Sequence, residues 1–169
     1  MAIATFALLF DNEDKVFIEM KRYFFLILFS LISTFSFSQI QKPVTWSYSA
    51  KKINTTTYEV HLTANIEGRW HIYSQTTPDG GPIPTKITFT KNPLVSLDGN
   101  AKEVGKLQQK HEPLFGVDVK QFADKVDFVQ TVKLKTPVKT NIAGSIDFMV
   151  CDDEQCLPPS KQAFSVALN

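Results

Sequence analysis

Residues 58–66, YEVHLTANI, alternate apolar and polar side chains along their whole length. This period of two is typical of a β-strand that has one face on a core and the other in water. The same alternation recurs elsewhere in the chain. The apolar positions there are Trp46, Tyr48 and Ala50; Ile87 and Phe89; Val126, Phe128, Val132 and Leu134; Ile142, Ile146, Phe148 and Val150; and Phe164, Val166 and Leu168. Since no long stretch after residue 39 has a helical period, the pattern predicts an all-β domain.

Turn signals separate these alternating runs. They are Pro78-Asp79-Gly80-Gly81-Pro82, Asp98-Gly99-Asn100, Pro137 and Pro158-Pro159. Glycine and proline in such clusters end strands and begin turns. Roughly eight or nine short strands in about 130 residues predict an antiparallel β-sandwich of the immunoglobulin-like type.

The first part of the chain has the features of an export signal. Lys21-Arg22 precedes an apolar run, residues 23–35, and the small-residue pattern Ser36-Phe37-Ser38 follows it. A basic start, a short apolar stretch and small residues at its exit predict a signal peptide over residues 20–38. The alternative is an uncleaved membrane anchor, which the short and serine-broken apolar run disfavours.

The domain boundaries follow from this signal. Met20 lies where a signal peptide would begin, so residues 1–19 are interpreted as an over-called upstream start. Cleavage before Gln39 leaves residues 39–169 as a single exported domain, which we expect in the periplasm without a membrane span. The periplasm allows disulfides to form and persist.

The charge balance bears on the class of partner. The chain has 18 Lys and Arg against 17 Asp and Glu, and no run of basic residues. A basic patch is the usual footprint of nucleic-acid binding, so nucleic acid is not expected as a partner.

The chain contains two cysteines, Cys151 and Cys156, with four residues between them. This spacing predicts two adjacent antiparallel strands, joined by a short acidic loop, with the two sulfurs close enough to bond. Ile146, Phe148 and Val150 are predicted to face the core. Strand parity therefore places Cys151 on the outer face, where a partner can reach it unless something covers it.

Several roles are open for this pair. An inert structural disulfide is the first interpretation from composition. A cross-link that closes so short a loop, however, removes little entropy from the unfolded chain and so stabilises the fold only slightly. A metal site would combine the two thiolates with Asp152, Asp153 or Glu154. It is disfavoured because the histidines are far away in sequence and there is no second ligand pair, so no metal is predicted.

Three segments carry a resemblance to a known family. Residues 150–159, VCDDEQCLPP, resemble the active-site segment of the N-terminal periplasmic domain of the transmembrane thiol reductase DsbD. Residues 67–73, EGRWHIY, are similar to the strand before that domain's first long loop, and residues 111–116, HEPLFG, are similar to its cap loop. The resemblance extends over residues 43–168.

The resemblance implies an immunoglobulin-like domain that relays reducing equivalents by thiol–disulfide exchange, a component of a protein-disulfide reductase. Its partners would be thioredoxin-fold envelope proteins, one as electron donor and one as acceptor. Cys156 would form the mixed disulfide with a partner, and Cys151 would resolve it. The pair would be the only redox group, without a further cofactor. The family's membrane and thioredoxin-like domains do not occur in these 169 residues, so we expect a separate donor protein and a monomeric domain.

The resemblance also implies a cap loop, formed here by Glu112, Leu114, Phe115 and Gly116. One apolar side chain, Phe115 or Leu114, would shield the cysteines, with Gly116 as a hinge. The alternative for Phe115 is a core aromatic.

Further residues are predicted around the pair. Asp152, Asp153 and Glu154 should raise the pKa of a nearby thiol by like-charge repulsion, and Glu112 should do so if the cap loop lies over the site. A solvated hairpin tip is the alternative for this acidic run. His71 and Tyr73 share one face of their strand and are predicted to line the site. Trp70, on the other face, is predicted to belong to the core.

Two other functions remain open from the sequence. One is an immunoglobulin-like binding or adhesion module with a structural disulfide. The other is an assembly or chaperone factor that binds its partners through sheet edges without redox turnover.

Overall fold

The computed structural model describes residue 17, residues 19–26 and residues 41–169. Residues 19–26 are helical. Within the described parts of the chain, no helix combines the length and apolar character needed to cross a bilayer. Most of the predicted signal peptide, the upstream segment before residue 17 and the predicted cleavage site at Gln39 lie outside the described residues. Residues Lys42–Asn169 form one compact unit.

The compact unit is built from β-strands. Between residues 41 and 169 the strands are β1 Val44–Lys52, β2 Thr57–Ile66, β3 His71–Tyr73, β4 Lys86–Phe89, β5 Val95–Gly105, β6 Gln108–Glu112, β7 Val117–Phe122, β8 Lys125–Leu134, β9 Thr140–Phe148, β10 Val150–Cys151 and β11 Ser160–Leu168. They form three antiparallel sheets with the orders β1-β2-β8-β5, β10-β3-β7-β6 and β11-β9-β4. The predicted all-β antiparallel architecture is confirmed, with more strands than expected.

The core lies between the β1-β2-β8-β5 sheet and the β11-β9-β4 sheet. Alternate residues of β2 are buried, from Tyr58 to Ile66, as the sequence pattern predicts. Aromatic contacts join the two sheets: the Trp46 ring is 5.3 Å from that of Phe148, and the Tyr48 ring is 5.8 Å from that of Phe164. Burial of these apolar faces supplies the main free energy that holds the sandwich together.

Asp98-Gly99-Asn100 does not end a strand, contrary to the prediction. It forms an irregularity inside β5, whose register against β8 shifts between Asp98 and Lys102. Gly99 has a φ of 68°, a conformation that glycine adopts without steric cost. The buried side chain of Gln130 holds the irregularity, because its Nε2 donates to the carbonyl oxygens of Asp98 and Gly99, each at 3.2 Å.

The small sheet, β10-β3-β7-β6, is covered on both faces near β3. Ile72 and Phe122 belong to the main core, while His71 and Tyr73 point to the opposite face and are buried as well. The loop after β3 packs over that second face, where a Cβ on Gly81 would lie 2.7 Å from the side chain of Val117. This loop therefore covers part of the face on which His71 and Tyr73 lie.

Candidate functional site

Cys151 and Cys156 form a disulfide that bridges two antiparallel strand segments. The Sγ atoms are 2.02 Å apart and the Cα atoms 4.0 Å apart. Backbone hydrogen bonds flank the bridge on both sides: Asp152 N donates to Gln155 O at 2.9 Å, and Leu157 N donates to Val150 O at 2.8 Å. The predicted hairpin geometry is confirmed. Pairing ends after Leu157 because proline has no N–H to donate.

The two cysteines differ in their exposure. Cys151 is 0% exposed, whereas Cys156 is partly exposed. Strand parity predicts Cys151 on an outer face that a partner can reach unless something covers it, and in the structure that face is covered. Parity does place it opposite the main core, but Tyr73 and Val119 pack against it there in a second apolar cluster. The disulfide is therefore more exposed on the side of Cys156 than on that of Cys151.

The acidic loop between the cysteines is held by two cations that the sequence analysis did not single out. The Arg69 guanidinium bonds Asp152 Oδ2 through Nε at 3.1 Å and both carboxylate oxygens of Glu154, also at 3.1 Å. Lys110 on β6 forms an ion pair with Asp153. Neither cation could be linked to the loop by local spacing, because Arg69 and Glu154 are 85 positions apart. The carboxylates of the loop are thus paired with cations, while Asp153 and Glu154 remain exposed to solvent, as the hairpin-tip alternative expects.

Asp152 fixes the backbone of the loop. Its side chain is 1% exposed, and its Oδ1 accepts hydrogen bonds from Glu154 N at 2.9 Å and Gln155 N at 2.8 Å. The hydrogen bond from Glu154 N lowers the pKa of Asp152 most, while burial raises it. The hydrogen bond from Gln155 N and the charge of Arg69 add to the lowering, so the net pKa is below the usual value. The carboxylate therefore stays charged and keeps the hairpin turn in shape.

A buried polar cluster lies beside the disulfide. Glu112 Oε2 accepts a hydrogen bond from the Tyr73 hydroxyl at 3.0 Å and lies 3.3 Å from His71 Nε2, and all three side chains are buried. Burial, followed by the charge of Glu112, raises the pKa of Tyr73. Burial lowers the pKa of His71, although Glu112 acts in the opposite direction. His71 and Tyr73 thus lie in the region predicted for them, and Trp70 packs against the main core.

The predicted cap residues form the turn of the β6–β7 hairpin. Phe115 N and Gly116 N both donate to the Glu112 carbonyl, at 3.2 and 2.8 Å, and Gly116 has a φ of 68°. Phe115 is 36% exposed and Leu114 is 47% exposed, so Phe115 is not a buried core aromatic. Glu112 is the one member of this set whose side chain points into the buried cluster.

The family model described as "Thiol:disulfide interchange protein DsbD, N-terminal" matches residues 39–168. The chain belongs to this family. The DsbD resemblance seen in the sequence is thereby confirmed, and so is the immunoglobulin-like β-sandwich expected from it. A cysteine pair at bonding distance is what a thiol–disulfide exchange domain of the DsbD type requires.

Solved structures give further similarities to DsbD-type domains. The N-terminal periplasmic domain of ScsB from Proteus mirabilis is 14% identical, with a TM-score of 0.45, over 76% of this chain and 49% of that chain. The chain thus spans about half the length of that relative. The N-terminal domain of Neisseria meningitidis DsbD in the reduced form is 14% identical, with a TM-score of 0.46, over 68% of this chain and 86% of that chain. No match was found among curated protein sequences.

Proposed function

We propose that this domain relays reducing equivalents between thioredoxin-fold proteins of the bacterial envelope by thiol–disulfide exchange. Membership of the DsbD N-terminal family supports the chemistry, and the signal-like residues 20–38 support export to the periplasm. The domain acts as a monomeric component of a protein-disulfide reductase and needs no cofactor beyond its own cysteine pair.

The observation that carries the proposal is the unequal exposure of the two cysteines. An attacking thiolate must approach along the S–S axis, so access decides which sulfur is attacked. Cys156 is the more exposed of the two cysteines, and attack there leaves the electron pair of the broken bond on the buried Cys151. In the opposite direction, the Cys156 thiolate attacks the partner's disulfide, and Cys151 then resolves the mixed disulfide and releases the reduced partner.

The hairpin turn with Leu114 and Phe115 serves as the cap in this proposal. It belongs to the same small sheet as Cys151, and Glu112 at its start reaches the buried cluster next to the disulfide. A docking partner displaces the cap and gains access to Cys156.

The first test is the reduction potential of the pair, measured on the purified chain in glutathione buffers. Exchange-active pairs lie between about −120 and about −270 mV, whereas structural disulfides lie below about −300 mV. A value in the upper range supports the relay. A value well below about −300 mV makes the bond a structural staple and favours the binding-module alternative.

The second test identifies the partners. Cys151→Ala removes the resolving thiol, so Cys156 should accumulate as a mixed disulfide with a thioredoxin-fold protein in periplasmic extracts. Cys156→Ala is the matched control and should trap nothing, because Cys151 is buried. Random dimers in place of a defined partner would contradict the relay.

A further inference from the structure

In the proposed relay the Cys151 thiol must be deprotonated before it can resolve a mixed disulfide, and it lies where water does not reach it. The side chain is 0% exposed and packs against Tyr73 and Val119. Only the thiolate is nucleophilic, and burial in apolar surroundings disfavours it. A neighbouring proton acceptor is therefore needed when Cys151 resolves a mixed disulfide.

Resting on that proposed function, we propose that His71 accepts the proton of the Cys151 thiol in the resolving step, with Glu112 orienting its ring. Cys151 and His71 are direct partners in the antiparallel pairing of β10 with β3. Side chains of such partners project to the same face, with their Cβ atoms about 4.5–5.5 Å apart. No other histidine lies within the small sheet's buried cluster, among the residues that the structure describes.

The contacts of His71 leave one ring nitrogen for this role. His71 Nε2 lies 3.3 Å from Glu112 Oε2 and 3.1 Å from the Tyr73 hydroxyl, whose own proton is donated to Glu112 Oε2. Both oxygens then act as acceptors toward the ring, so the tautomer that satisfies all three contacts carries its proton on Nε2. Nδ1 is then the nitrogen with a free lone pair in the neutral ring. A base oriented by a carboxylate on its far side is the arrangement that activates nucleophiles in catalytic triads.

Four ionisable groups face His71 besides Cys151. Glu112 and Lys110 come from β6, Tyr73 from its own strand and Asp153 from the cysteine loop. Burial first, and then Lys110, lower the pKa of His71, while Glu112 and Asp153 raise it. The net lowering keeps the ring neutral at neutral pH and able to take a proton. Glu112 then stabilises the imidazolium that forms.

The step balances in atoms and electrons. The proton passes from Cys151 Sγ to His71, and the thiolate attacks Sγ of Cys156 in the mixed disulfide. The Cys151–Cys156 bond forms and the bond from Cys156 to the partner sulfur breaks. The partner sulfur leaves with the electron pair and takes up a proton, which His71 can return through solvent. The domain loses two electrons and the partner disulfide gains them.

The test follows the resolving step in the reduced chain with oxidised glutathione as the probe. Glutathione is first captured on Cys156 and then released by Cys151, and mass spectrometry of acid-quenched samples separates the two events. In the unaltered protein the release rate should level off above a midpoint below about pH 6.5. Without a base, the rate should instead rise about tenfold per pH unit between about pH 5 and about pH 8, because only the thiolate reacts.

Variants sharpen this result. His71→Gln keeps a hydrogen-bonding side chain but cannot take the proton, so release at neutral pH should slow on the order of 10²-fold while capture is unchanged. His61→Gln is the matched control, since His61 also contacts a carboxylate, Asp127 at 2.7 Å, but lies on β2. It should release glutathione at the normal rate.

The outcomes separate the two proposals. A tenfold rise per pH unit in the unaltered protein, or a normal release rate in His71→Gln, overturns the role of His71 and leaves the relay intact. The unaltered protein's pH profile decides the matter even if His71→Gln does not fold. Failure of Cys156 to capture glutathione in the unaltered protein overturns the relay itself, and the role of His71 with it.

Discussion

The two cysteines differ in exposure although only four residues separate them. Strand parity correctly places Cys151 opposite the main core, but parity says nothing about what lies over that face. The cover comes from Tyr73 and Val119, which are far from Cys151 in the sequence. Predicting a side chain's direction is therefore easier than predicting its accessibility.

The residues around the disulfide were predictable to different degrees. His71 and Tyr73 were found because alternation along their strand shows that they share a face. Arg69 and Lys110 were missed because their ion pairs join distant parts of the chain, and an exposed cation in a sequence gives no sign of its partner.

At the residue scale, Phe115→Ala tests the cap. Phe115 is the larger of the two apolar side chains in the turn and is less exposed than Leu114. We expect Phe115→Ala to speed alkylation of the reduced Cys156 several-fold, since removal of the ring opens the approach to the sulfur. Leu114→Ala is the control and should change the iodoacetamide rate less. Equal alkylation rates in both variants and the unaltered protein would show that the turn does not shield the cysteine pair.

At the scale of single elements, β5 shows where the alternation of apolar and polar residues fails to predict a strand. β5 is an edge strand whose residues are mostly exposed, so it lacks the alternation that marks β2 and β8. Asp98-Gly99-Asn100 has the composition of a turn, yet hydrogen bonds from the buried Gln130 keep it within the strand. A tertiary contact overrides the local signal here, and glycine fits both structures.

The hairpin that carries the cysteines depends on Arg69. In Arg69→Gln, Asp152 and Glu154 lose their counter-charge, so we expect the pKa of the Cys156 thiol to rise and its alkylation at neutral pH to slow several-fold. The effect should shrink at high salt because an exposed charge is screened. Arg69→Lys should restore the rate in part, since an ammonium group cannot replace a bidentate guanidinium.

Lys133→Gln is the matched control for Arg69→Gln. It removes an exposed cation on β8 that is paired with Asp98 on the neighbouring strand β5, 2.7 Å away. It should leave the pH dependence of alkylation unchanged. If Arg69→Gln also leaves the midpoint unchanged, Arg69 does not influence the thiol.

At the scale of the whole molecule, the sandwich should fold without its disulfide. The bridge closes a loop of only a few residues, so loss of its chain-entropy effect costs about 2 kcal/mol or less. We expect Cys151→Ala/Cys156→Ala to unfold cooperatively in urea with that small loss of stability. Phe128→Ala, which empties part of the main core, should cost more, about 3–5 kcal/mol. A double variant that is unfolded in water would make the disulfide a structural requirement.

The fold class was predictable for a physical reason. One shared core takes up the alternate apolar residues of five strands, β1, β2, β8, β9 and β11. Each of these strands therefore shows a period of two in its sequence. The division into three sheets was not predictable, because it depends on which strands pair across long distances.

The irregularity in β5 also bears on how the protein behaves at high concentration. A long, regular edge strand exposes a continuous row of unpaired N–H and C=O groups, on which another copy can add a strand. β5 has eleven residues, but the shift between Asp98 and Lys102 divides that row into two short stretches. The β5 edge therefore offers no continuous template on which a second copy could add a strand.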